Sequence, residues 1–216
     1  IMFDMPGTGG SPDPVVPYNA FTMSLCANEL LARDGIETVD VMGVSWGGAM
    51  AQHFTLQHGG KVRRLVLAAT TPGMLMVPGK LSALSKMADP RRYVDAAFME
   101  RHFKTLYGGA VGGKDGHIGR ITPPSKRGYI YQLLAMIGWT SLPALPFLRH
   151  ETLIMMGEDD AIVPVLNGKL LKALIPNSRL EIFEGGGHLF MLSHREQTLS
   201  SLRAFLDEAD TDKMAA

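Results

Sequence analysis

Apolar residues recur along this chain in two rhythms that trade places several times. Thr38 to Val44, Val62 to Ala69, Glu151 to Met156 and Arg179 to Phe183 are short apolar or β-branched runs that predict strands. The second is nearly unbroken, the pattern of a strand buried on both faces of a parallel sheet. Around them, residues 20–34, Ala49 to His58, Val165 to Leu174 and His194 to Leu206 place apolar side chains at helical spacing, with stops at Asp34-Gly35 and Gly59-Gly60. Strand and helix alternate, which predicts an α/β fold with a mostly parallel, doubly wound sheet. Ile1 to Met5 reads as the end of a buried strand, followed by the turn Pro6-Gly7-Thr8-Gly9-Gly10 and the Pro-rich stretch Ser11 to Pro17. A domain opening in mid-pattern predicts that the N-terminal strands of the sheet are missing. The edge so exposed would favour a homo-oligomer or aggregation unless it is covered.

Residues 71–148 break the rhythm. Pro72-Gly73, Pro78-Gly79, Gly108-Gly109, Gly112-Gly113 and Pro123-Pro124 punctuate helical stretches, and no strand run of comparable strength intervenes. Long excursions in compact domains tend to be lids or binding elements. The expected organisation is a core part over 1–70, a helical cap over 71–148 and a second core part over 149–216.

Composition narrows the partners. Lys and Arg total 21, Asp and Glu total 21, and the net charge is zero, so nothing favours nucleic acid or an anionic membrane surface. No apolar run reaches the length of a membrane span, so no integral membrane segment is expected. Cys26 is the sole cysteine, which excludes an intrachain disulfide and suits a reducing compartment. It sits with Phe21, Leu25, Leu30 and Leu31 in an apolar-periodic stretch, where a small core residue is expected.

Chemistry enters at Gly43-Val44-Ser45-Trp46-Gly47, a G-x-S-x-G match where a strand run meets a helical one. The turn there must be sharp, with side chains flanking Ser45 expected to strike neighbouring backbone. The following helix N-terminus would favour developing negative charge. A serine hydroxyl is a poor nucleophile at neutral pH and needs a base, itself oriented by an acid. The chain offers both in the order Ser, acid, His. Glu158, Asp159 and Asp160 follow one strand, with Asp160 favoured over Asp159 by its spacing from Gly157 and Pro164, and Glu158 third. Gly185-Gly186-Gly187-His188 follows the next strand. Of seven histidines, His53 and His58 fall on the helix after Ser45, too close in sequence to reach back. His102 and His117 lie in the excursion, His150 precedes a strand, and His194 starts the last helix. His188 alone occupies a glycine-rich loop past the last strand. Asp4 also ends a strand run, but the turn explains it as a local hydrogen-bonding anchor. No metal-ligand spacing and no dinucleotide fingerprint is present, so no metal or cofactor is expected.

With these residues in place, the chain resembles the α/β-hydrolase superfamily over essentially its full length. Val77-Pro78-Gly79-Lys80, Asp89-Pro90-Arg91-Arg92-Tyr93, Leu106-Tyr107-Gly108-Gly109 and Gly138-Trp139-Thr140-Ser141 resemble the intracellular medium-chain-length polyhydroxyalkanoate depolymerases. So do Phe3-Asp4-Met5-Pro6-Gly7, Gly43-Val44-Ser45-Trp46-Gly47-Gly48 and the strand Leu65 to Thr70. The resemblance implies a serine esterase acting on a storage polyester of 3-hydroxyacids at the surface of a cytoplasmic granule. Ser45, His188 and Asp160 would be its triad and the Trp46 amide an oxyanion donor. The family's His-Gly loop, which supplies a second donor, has no counterpart in this sequence. Residues 110–128 are shorter and richer in Gly and Pro than the family cap. Met74, Leu75, Met76, Trp139 and Leu142 are expected to line an acyl pocket, with methionine suiting flexible aliphatic chains.

Overall fold

The computed structural model describes residues 1–89, 91–109 and 122–208. His117, the Gly112-Gly113 joint and most of residues 110–128 lie outside them. Four parallel strands stand in chain order, β1 (Val39–Val44), β2 (Val62–Ala68), β3 (Glu151–Gly157) and β4 (Ser178–Phe183). Parallel neighbours require crossovers. α1 (Ala20–Arg33) precedes β1, and α2 (Trp46–Gln57) links β1 to β2. Between β2 and β3, the described residues hold α3 (Leu81–Met87), α4 (Arg91–Val94), α5 (Ala96–Tyr107) and α6 (Lys126–Leu134), and no strand of the sheet. α7 (Val165–Leu174) joins β3 to β4, and α8 (Phe190–Ser193) with α9 (Arg195–Leu206) closes the described chain.

Past their first residues the central strands are apolar, from Leu65 to Ala68 and from Leu153 to Met156, because both faces are covered. Leu65, Leu67, Ile154 and Met156 pack on one face with Ala51 of α2, Leu171 of α7 and Met99, Phe103 and Leu106 of α5. The alternate residues Val66, Ala68, Leu153 and Met155 pack on the other with Phe183, Phe190 and Phe205. At the bottom of the sheet, the Arg64 side chain is 1% exposed. Its guanidinium donates to Glu151 Oε2 and to the carbonyls of Leu206 and Glu208, satisfying acceptors that the end of α9 leaves open.

Two expectations fail at the β1 side. Ile1–Met5 forms no strand, because an extended segment becomes one only when its amides meet a partner edge. A cavity of about 770 Å³ separates these residues from β1, lined by Ile1, Met2 and Phe3 on one side and Val39, Val41 and Trp46 on the other. In α1, the face turned inward carries Ala20, Met23, Ser24 and Leu31, while Phe21, Leu25 and Leu30 are exposed. Cys26 is exposed with them rather than in the core. Its neighbours are apolar, but its position on the helix falls on the outer side of the stripe that meets α2. Element ends otherwise shift by one to three residues, the largest being α2, which begins at Trp46 instead of Ala49.

Candidate active site

The upper ends of β1, β3 and β4 bring Ser45, Asp160 and His188 together. Ser45 stands between the last residue of β1 and the first of α2 with φ 53° and ψ −120°. Positive φ is costly for a residue with a Cβ, and it persists here because the neighbours fix it. The Ser45 amide donates to Ala68 O at 2.8 Å, and the Thr70 hydroxyl donates to Ser45 O at 2.7 Å. The glycines permit the turn, though not in the expected way. A Cβ on Gly43 would fall 2.2 Å from Gly47 O, and one on Gly48 would fall 2.4 Å from the Thr70 side chain. Gly47 itself faces open space, on the wall of the cavity beside β1, so Gly48 is the crowded one.

His188 Nε2 lies 3.0 Å from Ser45 Oγ, and His188 Nδ1 lies 2.7 Å from Asp160 Oδ2. An ionised carboxylate only accepts, so Nδ1 carries the ring proton and Nε2 is left to accept from the serine hydroxyl. Asp160 is 4% and His188 6% exposed. The second carboxylate oxygen, Oδ1, accepts the amides of Ile162 and Val163, both at 2.8 Å. Three hydrogen bonds therefore hold one buried carboxylate in a single orientation. Asp159 and Glu158 are exposed, and the Glu158 side chain accepts from the Gly185 amide at the rim.

The remaining candidates are placed elsewhere. His102 packs on the Phe98 ring, His150 Nε2 pairs with Gly59 O, and His194 Nε2 pairs with Glu184 O. Asp4 accepts the Gly10 amide through Oδ2, as a local anchor does. The Trp46 amide opens α2, where helix geometry gives it no intrahelical acceptor. Met74 is exposed, Met76 is half-buried and Leu142 packs against the core. The Trp139 indole donates to His53 Nδ1 at 3.1 Å. That bond holds Nδ1 unprotonated, and burial pushes the His53 imidazole below its ordinary value. Among the described residues, no three His, Cys, Asp or Glu side chains converge as metal ligands would.

Sequence reasoning missed two joints between the helical excursion and the sheet. At the first, Gln52 is fully buried on α2 and donates to the carbonyls of Gly48 and Thr71, while its Oε1 accepts from the Ser141 hydroxyl at 2.7 Å. Thr140 and Ser141 both donate to Pro72 O, and Gly73 bridges Thr140. At the second, the end of α5 enters between the Asp160 and His188 loops. Gly108 bridges Asp160, and Tyr107 O accepts the His188 amide at 2.7 Å. Their advance signs were the Pro72-Gly73 joint and the Gly138 to Ser141 motif for the first and the glycine pair at 108–109 for the second.

A parallel sheet with a strained serine on its upper edge, hydrogen-bonded to a histidine whose other ring nitrogen meets a buried aspartate, defines a hydrolase of the α/β class. The chain matches the alpha/beta hydrolase family over residues 1–200 and belongs to it. It is 39% identical over 212 residues to a poly(3-hydroxyalkanoate) depolymerase of Ectopseudomonas oleovorans, across 96% of this chain and 75% of that one. A 2-hydroxymuconate semialdehyde hydrolase of Pseudomonas putida is 29% identical over 193 residues, across 82% of this chain and 65% of that protein. Among solved structures, an esterase from Exiguobacterium antarcticum superposes with a TM-score of 0.80 at 24% identity, across 95% of this chain and 80% of that one. No described helix is long and apolar enough to cross a membrane.

Proposed function

We propose that this protein is a serine hydrolase of carboxylic esters, with Ser45 as nucleophile, His188 as base and Asp160 as its orienting acid. The observation that carries the proposal is the continuous hydrogen-bond chain from Ser45 Oγ through His188 to Asp160. In the first half-reaction, Ser45 Oγ attacks the ester carbonyl while His188 Nε2 takes its proton. Asp160 stabilises the imidazolium, and the Trp46 amide donates to the oxyanion at the head of α2. His188 then protonates the departing alkoxide, leaving an acyl-serine. In the second, His188 takes a proton from water, which attacks the acyl carbon, and returns it to Ser45 Oγ as the acyl–oxygen bond breaks, releasing the acid and free Ser45.

The substrate class we favour is a polyester of 3-hydroxyacids, supported by the 39% identity to the Ectopseudomonas depolymerase and by the motifs at Val77–Lys80, Leu106–Gly109 and Gly138–Ser141. Residues 71–148 then serve as a cap over the site. Met74 and Met76 offer apolar surface to the acyl chain, whereas Trp139 acts through its bond to His53. Action at a granule surface in a reducing compartment fits a lone cysteine. A second reading, hydrolysis of small esters or C–C bonds, draws on the likeness to the semialdehyde hydrolase.

A fluorophosphonate probe tests the nucleophile, because only an activated serine reacts. Labelling at Ser45 is expected, with Ser45→Ala unlabelled, folded and reduced in turnover by about 10⁴-fold or more. An unlabelled wild-type chain would instead place it with ligand-binding proteins of this fold. Comparing p-nitrophenyl octanoate with the polymer separates the substrate readings. Turnover of the small ester alone removes the polyester.

A further inference from the structure

The end of α5 does more than cover the site. The last carbonyls of a helix have no partner within it, and Tyr107 O uses its lone pairs on the His188 amide at 2.7 Å. The Tyr107 ring lies parallel to the His188 imidazole, with centroids 6.3 Å apart and planes 12° from coplanar, an offset stack. Behind it, Phe103 packs on Tyr107 at 4.9 Å, so the ring is backed by the apolar face of the same helix. Beyond it, the chain turns through Gly108 (φ 69°) and Gly109 (φ 54°), both in the left-handed region. Neither has room for a methyl group. A Cβ on Gly108 would fall 2.0 Å from Asp159 O, and one on Gly109 would fall 2.1 Å from Gly187 N. Gly187 is equally close to the carbonyls of Tyr107 and Gly108. One three-residue segment thus touches the residue before Asp160, Asp160 itself, the residue before His188 and His188 itself.

From this we infer that Tyr107, Gly108 and Gly109 are positioning residues. They set the plane and height of the His188 ring and the distance between its loop and the Asp160 loop, so that the base is in register with Ser45 only while α5 is seated. The inference rests on the serine-hydrolase reading above. It adds that the cap takes part in assembling the base as well as in receiving the acyl chain. A displacement of α5 would uncouple His188 from Ser45 even with substrate bound. Misplacement by about 1 Å costs on the order of 10² in rate in such constellations.

The test compares Tyr107→Leu, which keeps apolar bulk against Phe103 but removes the stacking ring, with Tyr107→Phe, which keeps the ring. Two quantities are read well below the thermal midpoint of each variant: the rate constant for fluorophosphonate labelling of Ser45, and kcat and KM for p-nitrophenyl octanoate. For Tyr107→Leu, labelling and kcat are expected to fall together by about tenfold, with KM unchanged. Tyr107→Phe is expected to restore both to within about twofold of wild type. A rise in KM with labelling and kcat unchanged would make Tyr107 merely a wall of the pocket and overturn the inference. So would failure of Tyr107→Phe to restore the rates. If the wild-type chain does not label, the nucleophile assignment fails, and the inference fails with it. Should Tyr107→Leu not fold, Tyr107→Met replaces it under the same criteria.

Discussion

The helical excursion meets the sheet at two joints of different make-up. At Thr70–Gly73 and Trp139–Ser141 a short backbone bridge is reinforced by side chains: Gln52, Ser141, Thr140 and the His53–Trp139 pair. At Tyr107–Gly109 it is carried almost wholly by backbone, with glycines packed too closely for any Cβ. A joint of side chains can be loosened one bond at a time and responds to protonation. A joint of backbone has no graded failure, since a single methyl group forces whole loops apart. The rigid joint stands on the Asp160 and His188 loops, where the proposed mechanism makes the strictest demand on geometry. The adjustable one stands on α2, behind the nucleophile.

The contrast is sharpest for Gly108→Ala. It combines positive φ with a methyl group driven onto Asp159 O, and is expected to cost about 3 kcal/mol or more and to lower kcat along with stability. Urea unfolding and active-site titration check both. A loss below 1 kcal/mol would show that the backbone joint yields as easily as the other. Gln52→Leu cuts the side-chain joint, leaving the Ser141 hydroxyl only its longer contact with Pro72 O and depriving the Thr71 carbonyl of its amide donor. The expected loss is about 1–3 kcal/mol, read as a fall in Tm of several degrees. Its labelling rate at Ser45 should stay near that of the wild type. If labelling falls as far as in Gly108→Ala, the two joints do not divide their work in this way.

The smallest effect is that of pH. Burial lowers His53 below its ordinary value of 6.5, and burial with the Lys61 charge lowers His58 as well. Between the depressed values and 6.5 the unfolded chain binds more protons than the folded one. Stability is therefore full above about pH 6.5 and declines as pH falls through that window. His53→Gln should flatten part of this decline and His58→Gln a further part, as measured by Tm from pH 7.5 to 5. A decline of unchanged slope in the double variant would assign it to other groups.

What could be read in advance follows the same division. That Ser45 and His188 would meet was legible because backbone demands leave glycines in the sequence, Gly43 before the serine and Gly185-Gly186-Gly187 before the histidine, while Asp160 was favoured by its spacing from Gly157 and Pro164. β2 and β3 were legible because burial on both faces leaves Leu65 to Ala68 and Leu153 to Met156 without a polar residue, and β1 and β4 were legible as shorter β-rich runs beside helical ones. Gln52 gave no such sign, and Trp139 was expected in an acyl pocket rather than on His53. A glutamine in a helix usually faces water, and only the fold brings residue 141 beside it. Tyr107 reads as one more apolar position on α5, since its closeness to His188 is set by where the helix ends. The misreadings share a cause. Ile1–Phe3, Phe21, Leu25 and Cys26 have the composition of buried elements, but composition cannot supply the partner that would bury them.

The pairing of β2 with β3 has a kinetic consequence. Arg64 and Glu151 are register partners 87 positions apart, and Ser45 and His188 lie 143 apart. Bringing together ends so distant costs chain entropy before any contact repays it, and parallel sheets with such separations fold slowly. β1, α2 and β2 form a compact unit of neighbouring sequence, so helix content on dilution from urea should return early. Labelling at Ser45 should lag behind it, because the site exists only once the two distant halves of the sheet have met.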